Sequence, residues 1–221
     1  MPNWCYTDFT VSGPAEDISR FRHAVRGSDD GEETPFDFDR LIPMPSELGH
    51  AVGDFGAAYN VYYGDAEAML KYPWVKNLKI ETVEHLREHF DADPQRRVTA
   101  DQWRSNIEKY GAPTWFEWRC EHWGTKWNAC DPEVTDNGDS SLHVKFDTAW
   151  DFPFPIFEKL VADFPMLNFE GSAYEPNCDF YITFEGCNGG FVCQDDDDAR
   201  QAAAVAEIED ENEDERLAVT A

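Results

Sequence analysis

The segment Leu142–Trp150, with the sequence LHVKFDTAW, alternates between apolar and polar side chains and constrains the fold more than any other stretch. Successive side chains of a β-strand point to opposite faces of the sheet. One face of this segment therefore carries Leu142, Val144, Phe146 and Thr148. The other face carries His143, Lys145 and Asp147. The pattern predicts a strand with one face in a core.

The segment Trp115–Cys130 holds four of the eight tryptophans, and a predicted turn separates it from this strand. Because large aromatic side chains suit a pleated, half-buried surface, we predict a tryptophan-rich strand here, with a bulge or tight bend at Gly124. Asp136–Asp139, with the sequence DNGD, supplies turn chemistry before Leu142. The two strands together predict the central hairpin of a sheet.

Other elements flank this hairpin at both ends of the chain. Strands are predicted at Asn3–Ser12, Phe36–Ile42, Leu167–Tyr174, Asp179–Glu185 and Phe191–Gln194. A helix is predicted at Ala15–Arg26, and another begins with Pro155 in its first turn and ends at Phe164. The apolar stripe of this second helix is Ile156, Phe157, Leu160 and Val161. Gly27–Thr34 is predicted to be a polar loop.

Residues 46–112 have a mainly helical composition. Ala57–Leu70 has a helical composition that Gly64 interrupts. Helices are also predicted at Glu81–Phe90 and Thr99–Tyr110, the latter with Thr99 as its N-cap. We therefore predict one α+β domain over residues 1–194, in which 46–112 form a mainly helical insertion and 113–194 complete the sheet. The run from Asp195 onward is acidic and rich in alanine, which predicts a disordered or partly helical tail over residues 195–221.

The chain of 221 residues carries 45 acidic residues against 18 lysines and arginines, a net charge of −27. The tail holds eleven acidic residues and two arginines, which leaves −18 on residues 1–194. This sign opposes direct binding to nucleic acid. Two interpretations stay open: an acidic surface suited to a salt-rich host, and an acidic face that engages a basic, DNA-binding partner.

The sequence shows neither an export signal nor a membrane-spanning segment. The N-terminal residues MPNWCYTDF lack the basic and apolar regions of a signal peptide. No apolar run approaches the ~20 residues that a membrane-spanning helix needs. We therefore expect a cytoplasmic protein that does not bind membranes. Its six cysteines include no CxxC pair and are expected to be buried free thiols.

The sequence HLREH at residues 85–89 matches an inverted zinc-peptidase motif. On a helix, His85 and His89 would share one face and could hold Zn²⁺, with Glu88 as the general base. The acidic residues on both sides of the motif are equally typical of a solvated helix face. A metal-dependent hydrolase is therefore kept as an alternative function.

Two further candidate sites lie in the tryptophan-rich segment. Candidate metal ligands are Cys5, Cys120, His122 and Cys130. In a strand, Cys120 and His122 would share a face, although buried thiols explain the cysteines equally well. A candidate base- or peptide-stacking surface consists of Trp123, Lys126, Trp127 and Asn128, with an aromatic core as the alternative. No complete catalytic or nucleotide-binding motif occurs, so we predict no catalytic residue and no cofactor.

Three parts of the sequence together resemble a known family. They are MPNWCYTDFTVSG at residues 1–13, FDFDRLIPMPSEL at 36–48, and HWGTKWNA at 122–129 followed by FDTAWDFPFP at 146–155. In this order they are similar to the YubB-type, phage Api-like proteins, which carry a ferredoxin-like domain and are encoded on plasmids and phages. The resemblance implies an α+β fold in which helices cover one side of a ferredoxin-like antiparallel sheet. The chain departs from the family at His122, where asparagine is usual, and around Asp151.

The resemblance implies a mobile-element context and no biochemical mechanism. Together with the acidity of residues 1–194, it predicts a non-enzymatic protein that engages a basic host protein or a basic nucleic-acid-handling protein. Besides the hydrolase, a second alternative is a structural or accessory protein of a salt-adapted virus, in which the acidity only maintains hydration.

Overall fold

The structure is a computed structural model that describes residues 3–29, 31–49, 56–138, 140–176 and 180–198. These residues belong to two compact units, one from Met1–Pro43 with Cys120–Ala221 and one from Met44–Arg119. The domain boundaries drawn from the sequence, with an insertion at 46–112, stay a prediction. Most of the predicted acidic tail, residues 199–221, lies outside the described residues.

The described elements alternate between strands and helices at the two ends of the chain and are helical in the middle. The strands are β1 (Trp4–Ser12), β2 (Gly27–Asp29), β3 (Glu32–Thr34), β4 (Cys130–Gly138), β5 (Ser141–Ala149), β6 (Asn168–Glu175), β7 (Phe180–Cys187) and β8 (Gly190–Asp195). The helices are α1 (Ala15–Val25), α2 (Phe38–Leu41), α3 (Ala57–Tyr62), α4 (Ala66–Met69), α5 (Pro73–Asn77), α6 (Val83–Asp91), α7 (Pro94–Tyr110), α8 (Trp115–His122) and α9 (Phe154–Asp163). A short 3₁₀ helix lies at Ser46–Gly49.

Six strands of the first unit form an antiparallel sheet in the order β4-β5-β1-β6-β7-β8. Within it, the succession β1-α1-β4-β5-α9-β6 is the βαββαβ arrangement of a ferredoxin-like unit. The β7-β8 hairpin extends this unit at the β6 edge. Strands β2 and β3 pair with each other and, among the described residues, with no other strand.

One face of the sheet and the helices that cover it form a core of aromatic side chains. Phe9 of β1 lies near its centre, and its ring centroid is 5.0 Å from that of Phe157 in α9. Phe21 of α1 packs edge-on against Phe169 of β6. Phe38 of α2 packs in the same way against Phe146 of β5. The helices α1, α2 and α9 therefore lie on one face of the sheet.

Periodicity correctly predicted four elements of this unit. The strand predicted at Leu142–Trp150 is confirmed as β5, and its four predicted core residues are buried. The strand at Asn3–Ser12 and the helix at Ala15–Arg26 are confirmed as β1 and α1, and the helix around Pro155 is α9. The predicted class, α+β with an antiparallel sheet, is confirmed.

The prediction of a strand over Trp115–Cys130 is wrong. Trp115–His122 forms helix α8, with a hydrogen bond of 3.2 Å from the N–H of Phe116 to Oγ1 of Thr114 at its start. Residues 123–129 continue as an irregular loop, and the strand that forms a hairpin with β5 is β4. Aromatic composition alone suits a strand and a buried helix equally, so it did not decide between them. Because β4 reaches Gly138, the turn predicted at Asp136–Asp139 begins too early.

The prediction of a strand at Phe36–Ile42 is also wrong. Phe36 and Phe38 are both fully buried, which reproduces a strand-like alternation. Residues Phe38–Leu41 are nevertheless helical, because Asp37 caps the turn by accepting a hydrogen bond of 2.9 Å from the N–H of Asp39. The loop predicted at Gly27–Thr34 is the β2-β3 hairpin.

The described part of the second unit is helical and has a core of its own. This core consists of Ala58, Val61, Met69, Val75, Leu86, Phe90 and Ala100. The helices predicted at Ala57–Leu70 and Glu81–Phe90 appear as α3 with α4 and as α6. The N-cap predicted at Thr99 is wrong, because Asp93 caps α7 and Pro94 occupies its first turn. No helix in the described ranges is long and apolar enough to cross a bilayer.

Candidate functional site

The loop at residues 123–129 contains the four candidates for a stacking surface and is held by hydrogen bonds to other segments. Trp123 is fully buried, and its Nε1 donates a hydrogen bond of 2.9 Å to the carbonyl oxygen of Ile42. Oγ1 of Thr125 donates a bond of 2.9 Å to the carbonyl oxygen of Ala149 at the end of β5. Gly124 has a φ of +79°, and a Cβ there would lie only 3.0 Å from Cδ of Pro155. The first half of this loop is therefore a structural part of the core.

Asn128 connects the loop to helix α2. Its Oδ1 accepts hydrogen bonds of 2.8 Å from the N–H of Phe38 and 2.9 Å from the N–H of Ala129. Its Nδ2 donates a bond of 2.8 Å to Oδ1 of Asp37, the capping carboxylate of α2. Three of the four hydrogen bonds that an asparagine amide can make are used within the fold.

Lys126 and Trp127 lie at the outside of the same loop. The ammonium of Lys126 is 4.1 Å from the ring centroid of Trp127 and 3.6 Å from that of Trp150, at the end of β5. Trp127 also packs against Trp4 of β1, with ring centroids 5.9 Å apart. Both distances from the ammonium fall within the range of a cation–π interaction.

The predicted stacking surface is therefore divided between the core and the surface. Trp123 has no exposed area, so its inclusion in a surface is corrected. Asn128 is engaged by α2, whereas Lys126 and Trp127 are partly exposed. A binding role for these residues stays a prediction.

The face of the six-stranded sheet opposite α1, α2 and α9 carries polar and tyrosine side chains, and we call it the open sheet face. Tyr6 of β1 is 46% exposed. It lies in register with Tyr174 of β6, which lies in register with Tyr181 of β7. The rings of Tyr174 and Tyr181 are 5.9 Å apart. A row of three tyrosines thus crosses the middle strands of this face.

Two glutamates face each other on the same surface. Glu170 of β6 and Glu185 of β7 are cross-strand partners, and both are exposed. They border a depression of about 540 Å³ whose other polar side chains include Ser172, Thr183 and Gln194. In the described part of the chain, neither carboxylate has a lysine, arginine or histidine nitrogen within 4 Å. Like charges directly opposite each other destabilise a sheet. A cation supplied by another molecule would therefore stabilise this pair.

The β1-β5 half of the open sheet face has a different charge balance. Asp8 accepts from His143 Nε2 at 2.6 Å and lies 3.2 Å from the ammonium of Lys145. Burial raises the pKa of Asp147, and the charge of Asp131 raises that pKa further. Asp8 is thus neutralised within the fold, and the unmatched carboxylates of the depression lie on β6 and β7.

The HLREH motif lies on α6, where Leu86 faces the core of the second unit. His85 and Glu88 are exposed, and the ring of His89 lies edge-on to Phe90 at 5.9 Å. Among all described residues, no group of three or more histidine, cysteine, aspartate or glutamate side chains could hold a metal ion together. A metal site at this motif stays a prediction without a third ligand.

The second set of candidate metal ligands is also separated. Cys120 and His122 lie on helix α8, where residues two apart point in different directions, so the strand-based reason for pairing them is wrong. Cys130 opens β4, and its Sγ lies 3.5 Å from the carbonyl oxygen of Asn128. Cys5 is fully buried, and this burial raises its pKa to about 12. Such a thiol is a poor metal ligand and a poor nucleophile.

Sequence reasoning missed Glu170 and Glu185. Both lie in correctly predicted strands, and alternation alone places each on the polar face of its strand. The signal that was needed is the register of the β6-β7 hairpin, because a shift of one residue would separate the two side chains.

The comparison with protein families agrees with the fold of the first unit. A family model described as the ferredoxin-like domain in Api92-like protein matches residues 122–219, which is less than half of the chain. The first unit is accordingly ferredoxin-like. The crystal structure of the protein Api92 from Yersinia pseudotuberculosis is similar with a TM-score of 0.47 and 11% identity, covering 89% of this chain and 98% of that one. No curated protein matches the chain.

Proposed function

We propose that this chain is a non-enzymatic binding protein that receives a lysine- or arginine-rich segment of a partner on its open sheet face. The observation that carries this proposal is the Glu170–Glu185 pair at the 540 Å³ depression, without a cation from the described residues. A guanidinium or ammonium group between the two carboxylates would remove their repulsion and form charge-assisted hydrogen bonds.

The neighbouring side chains suit the same kind of partner. The hydroxyl groups of Ser172 and Thr183 and the amide of Gln194 can bond to a peptide backbone in the depression. The tyrosine row beside it offers flat aromatic surface for the aliphatic part of an arginine or lysine side chain. The net charge of −27 would also attract a basic partner from a distance and speed its association at low salt.

The cellular context belongs to this proposal as well. The resemblance of three sequence segments to phage- and plasmid-encoded proteins supports an origin in a mobile genetic element. The basic partner would then be a host protein or a nucleic-acid-handling protein in the cytoplasm. The acidity of the chain supports binding to such a protein rather than to nucleic acid itself.

Calorimetric titration of the full-length chain with a short arginine-rich peptide tests the proposal. We expect binding at about 50 mM salt that weakens strongly at about 500 mM. The Glu170→Gln/Glu185→Gln variant should bind about tenfold more weakly, whereas Glu32→Gln/Glu158→Gln should bind like the wild type. The control removes the same charge from exposed positions outside the open sheet face. Equal weakening by both variants would mean that only the overall charge matters, as in a salt-adapted protein.

A further inference from the structure

The indole rings of Trp127 and Trp150 form a slot around a cation. The ammonium of Lys126 lies 4.1 Å from one ring centroid and 3.6 Å from the other. The face of an indole ring carries a negative potential, and tryptophan is the strongest of the aromatic side chains in binding cations. Two such faces around one ammonium are the arrangement that proteins use to recognise alkylammonium ligands.

Among the described residues, the ammonium of Lys126 contacts indole rings rather than carboxylates. The chain has 45 acidic residues, yet no carboxylate in its described part lies within 4 Å of the Lys126 ammonium. The exposed Lys145 instead pairs with Asp8, as lysines in an acidic protein commonly do. The position of Lys126 therefore reflects the attraction of the two indole faces.

Trp150 is held in place by an unusual backbone conformation. Its φ is +76°, a left-handed value that is rare and strained for a bulky residue. Its N–H donates a hydrogen bond of 2.9 Å to the carbonyl oxygen of Asn3. The ring is still 43% exposed, so core packing does not explain why this conformation is kept. Strained residues of this kind cluster at ligand-binding sites.

The slot adjoins the open sheet face. Trp127 packs against Trp4, and Trp4 and Tyr6 lie two residues apart on the same face of β1. Aromatic surface therefore runs from the slot through Trp4 to the tyrosine row. A basic segment on the open sheet face could place one side chain in the depression and another in the slot.

We propose that Trp127 and Trp150 are a binding site for an arginine or lysine side chain, and that Lys126 occupies this site in the free protein. This inference rests on the proposed function, because the incoming cation belongs to the basic segment of the partner. On binding, the side chain of Lys126 rotates into solvent and the partner cation replaces its ammonium between the same two rings. No covalent step is involved.

The test measures the affinity of the slot for a small cation. Tetramethylammonium is titrated into the full-length protein while the indole N–H signals of Trp127 and Trp150 are followed by NMR. Lys126→Ala removes the lysine side chain from the slot and should bind tetramethylammonium about tenfold more tightly than the wild type. Lys71→Ala removes the same charge from an exposed position of the second unit and should bind like the wild type. Lys126→Ala/Trp150→Leu should lose the gain.

Equal affinities of Lys126→Ala and the wild type would overturn the inference. If Lys126→Ala does not fold, the wild type is measured alone in concentrated tetramethylammonium chloride and, for comparison, in sodium chloride at the same concentration. Selective shifts of the two indole signals support the slot, and unchanged signals refute it. If tetramethylammonium does not bind in the slot but the peptide still binds Glu170→Gln/Glu185→Gln more weakly than the control variant, the proposed function stands. The loss of that distinction refutes the proposed function and leaves the tetramethylammonium result unaffected.

Discussion

Neutralising one glutamate of the Glu170–Glu185 pair should stabilise the free protein and weaken its binding to a basic peptide. Directly opposed residues of neighbouring strands have Cβ atoms about 5 Å apart. For carboxylates about 6 Å apart in water, Coulomb's law gives a repulsion of about 0.7 kcal/mol, and salt at about 0.15 M reduces it. We therefore expect Glu185→Gln to raise the free energy of unfolding by about 0.5 kcal/mol.

A double-mutant cycle measured by urea unfolding isolates this repulsion. Glu170→Gln and Glu185→Gln should each stabilise by about 0.5 kcal/mol, and the double variant by no more than either single variant. The coupling energy should decrease at about 1 M salt, where the screening length is about 3 Å. In the peptide titration, each single variant should lose about 1 kcal/mol of binding free energy, or about fivefold in Kd.

The opposite signs of the two effects distinguish a binding site from a structural feature. Most replacements lower the stability of a protein. If a pair of residues lowers the stability of the fold but strengthens binding, its presence is explained by binding and not by folding. If Glu185→Gln destabilises the protein, or leaves the affinity for the peptide unchanged, the reasoning is refuted.

Three further predictions concern the framework around the site. Gly124→Ala should destabilise the protein by about 1–3 kcal/mol in urea unfolding, because Gly124 has a left-handed backbone and a close neighbour in Pro155; an unchanged midpoint would contradict this. Asn128→Ala should cost about 2–4 kcal/mol through its lost bonds to α2, whereas Asn168→Ala at an exposed position should change stability by less than about 0.5 kcal/mol. Burial raises the pKa of Cys5 to about 12 from an ordinary 9.0, so the thiol of the unfolded chain loses its proton at a lower pH than the thiol of the folded protein. The free energy of unfolding should therefore fall as the pH rises from about 9 towards 12. Cys5→Ser should reduce the slope of this fall, and an unchanged slope would contradict the prediction.

Side-chain periodicity was sufficient to predict the parts of the fold that have one buried face. The alternation of Leu142–Trp150 identified β5 and its four core residues, because residues two apart in a strand lie on the same face of the sheet. Helix α9 was equally clear from its apolar stripe. These elements depend on local pattern, which the sequence contains in full.

The errors occurred where tertiary contacts decide the local structure. Phe36–Ile42 alternates like a strand, but the Asp37 cap and the bonds from Asn128, 90 residues away, hold it as a helical turn. Trp115–Cys130 is rich in aromatic side chains, which fit a helix and a strand equally, so the change from α8 to the loop was not visible. Composition does not contain these contacts.

The candidate site depended on pairings that the sequence leaves open. The stretch that includes Lys126 and Trp127 was identified, but the second ring of the slot, Trp150, comes from another part of the chain. In the same way, Glu170 and Glu185 become partners only through the register of β6 and β7. Chemistry that arises between strands is predictable only once the strand pairing is known.

Mapping the bound peptide by NMR on the full-length, isotope-labelled protein tests the central claim most directly. On titration with the arginine-rich peptide at low salt, we predict the largest amide shifts in β6, β7 and β8, centred on Glu170 and Glu185, and small shifts in α1 and α9. Glu170→Gln/Glu185→Gln should remove those shifts. Shifts confined to residues 195–221, or distributed equally over the acidic residues of the whole chain, would contradict a specific site on the open sheet face.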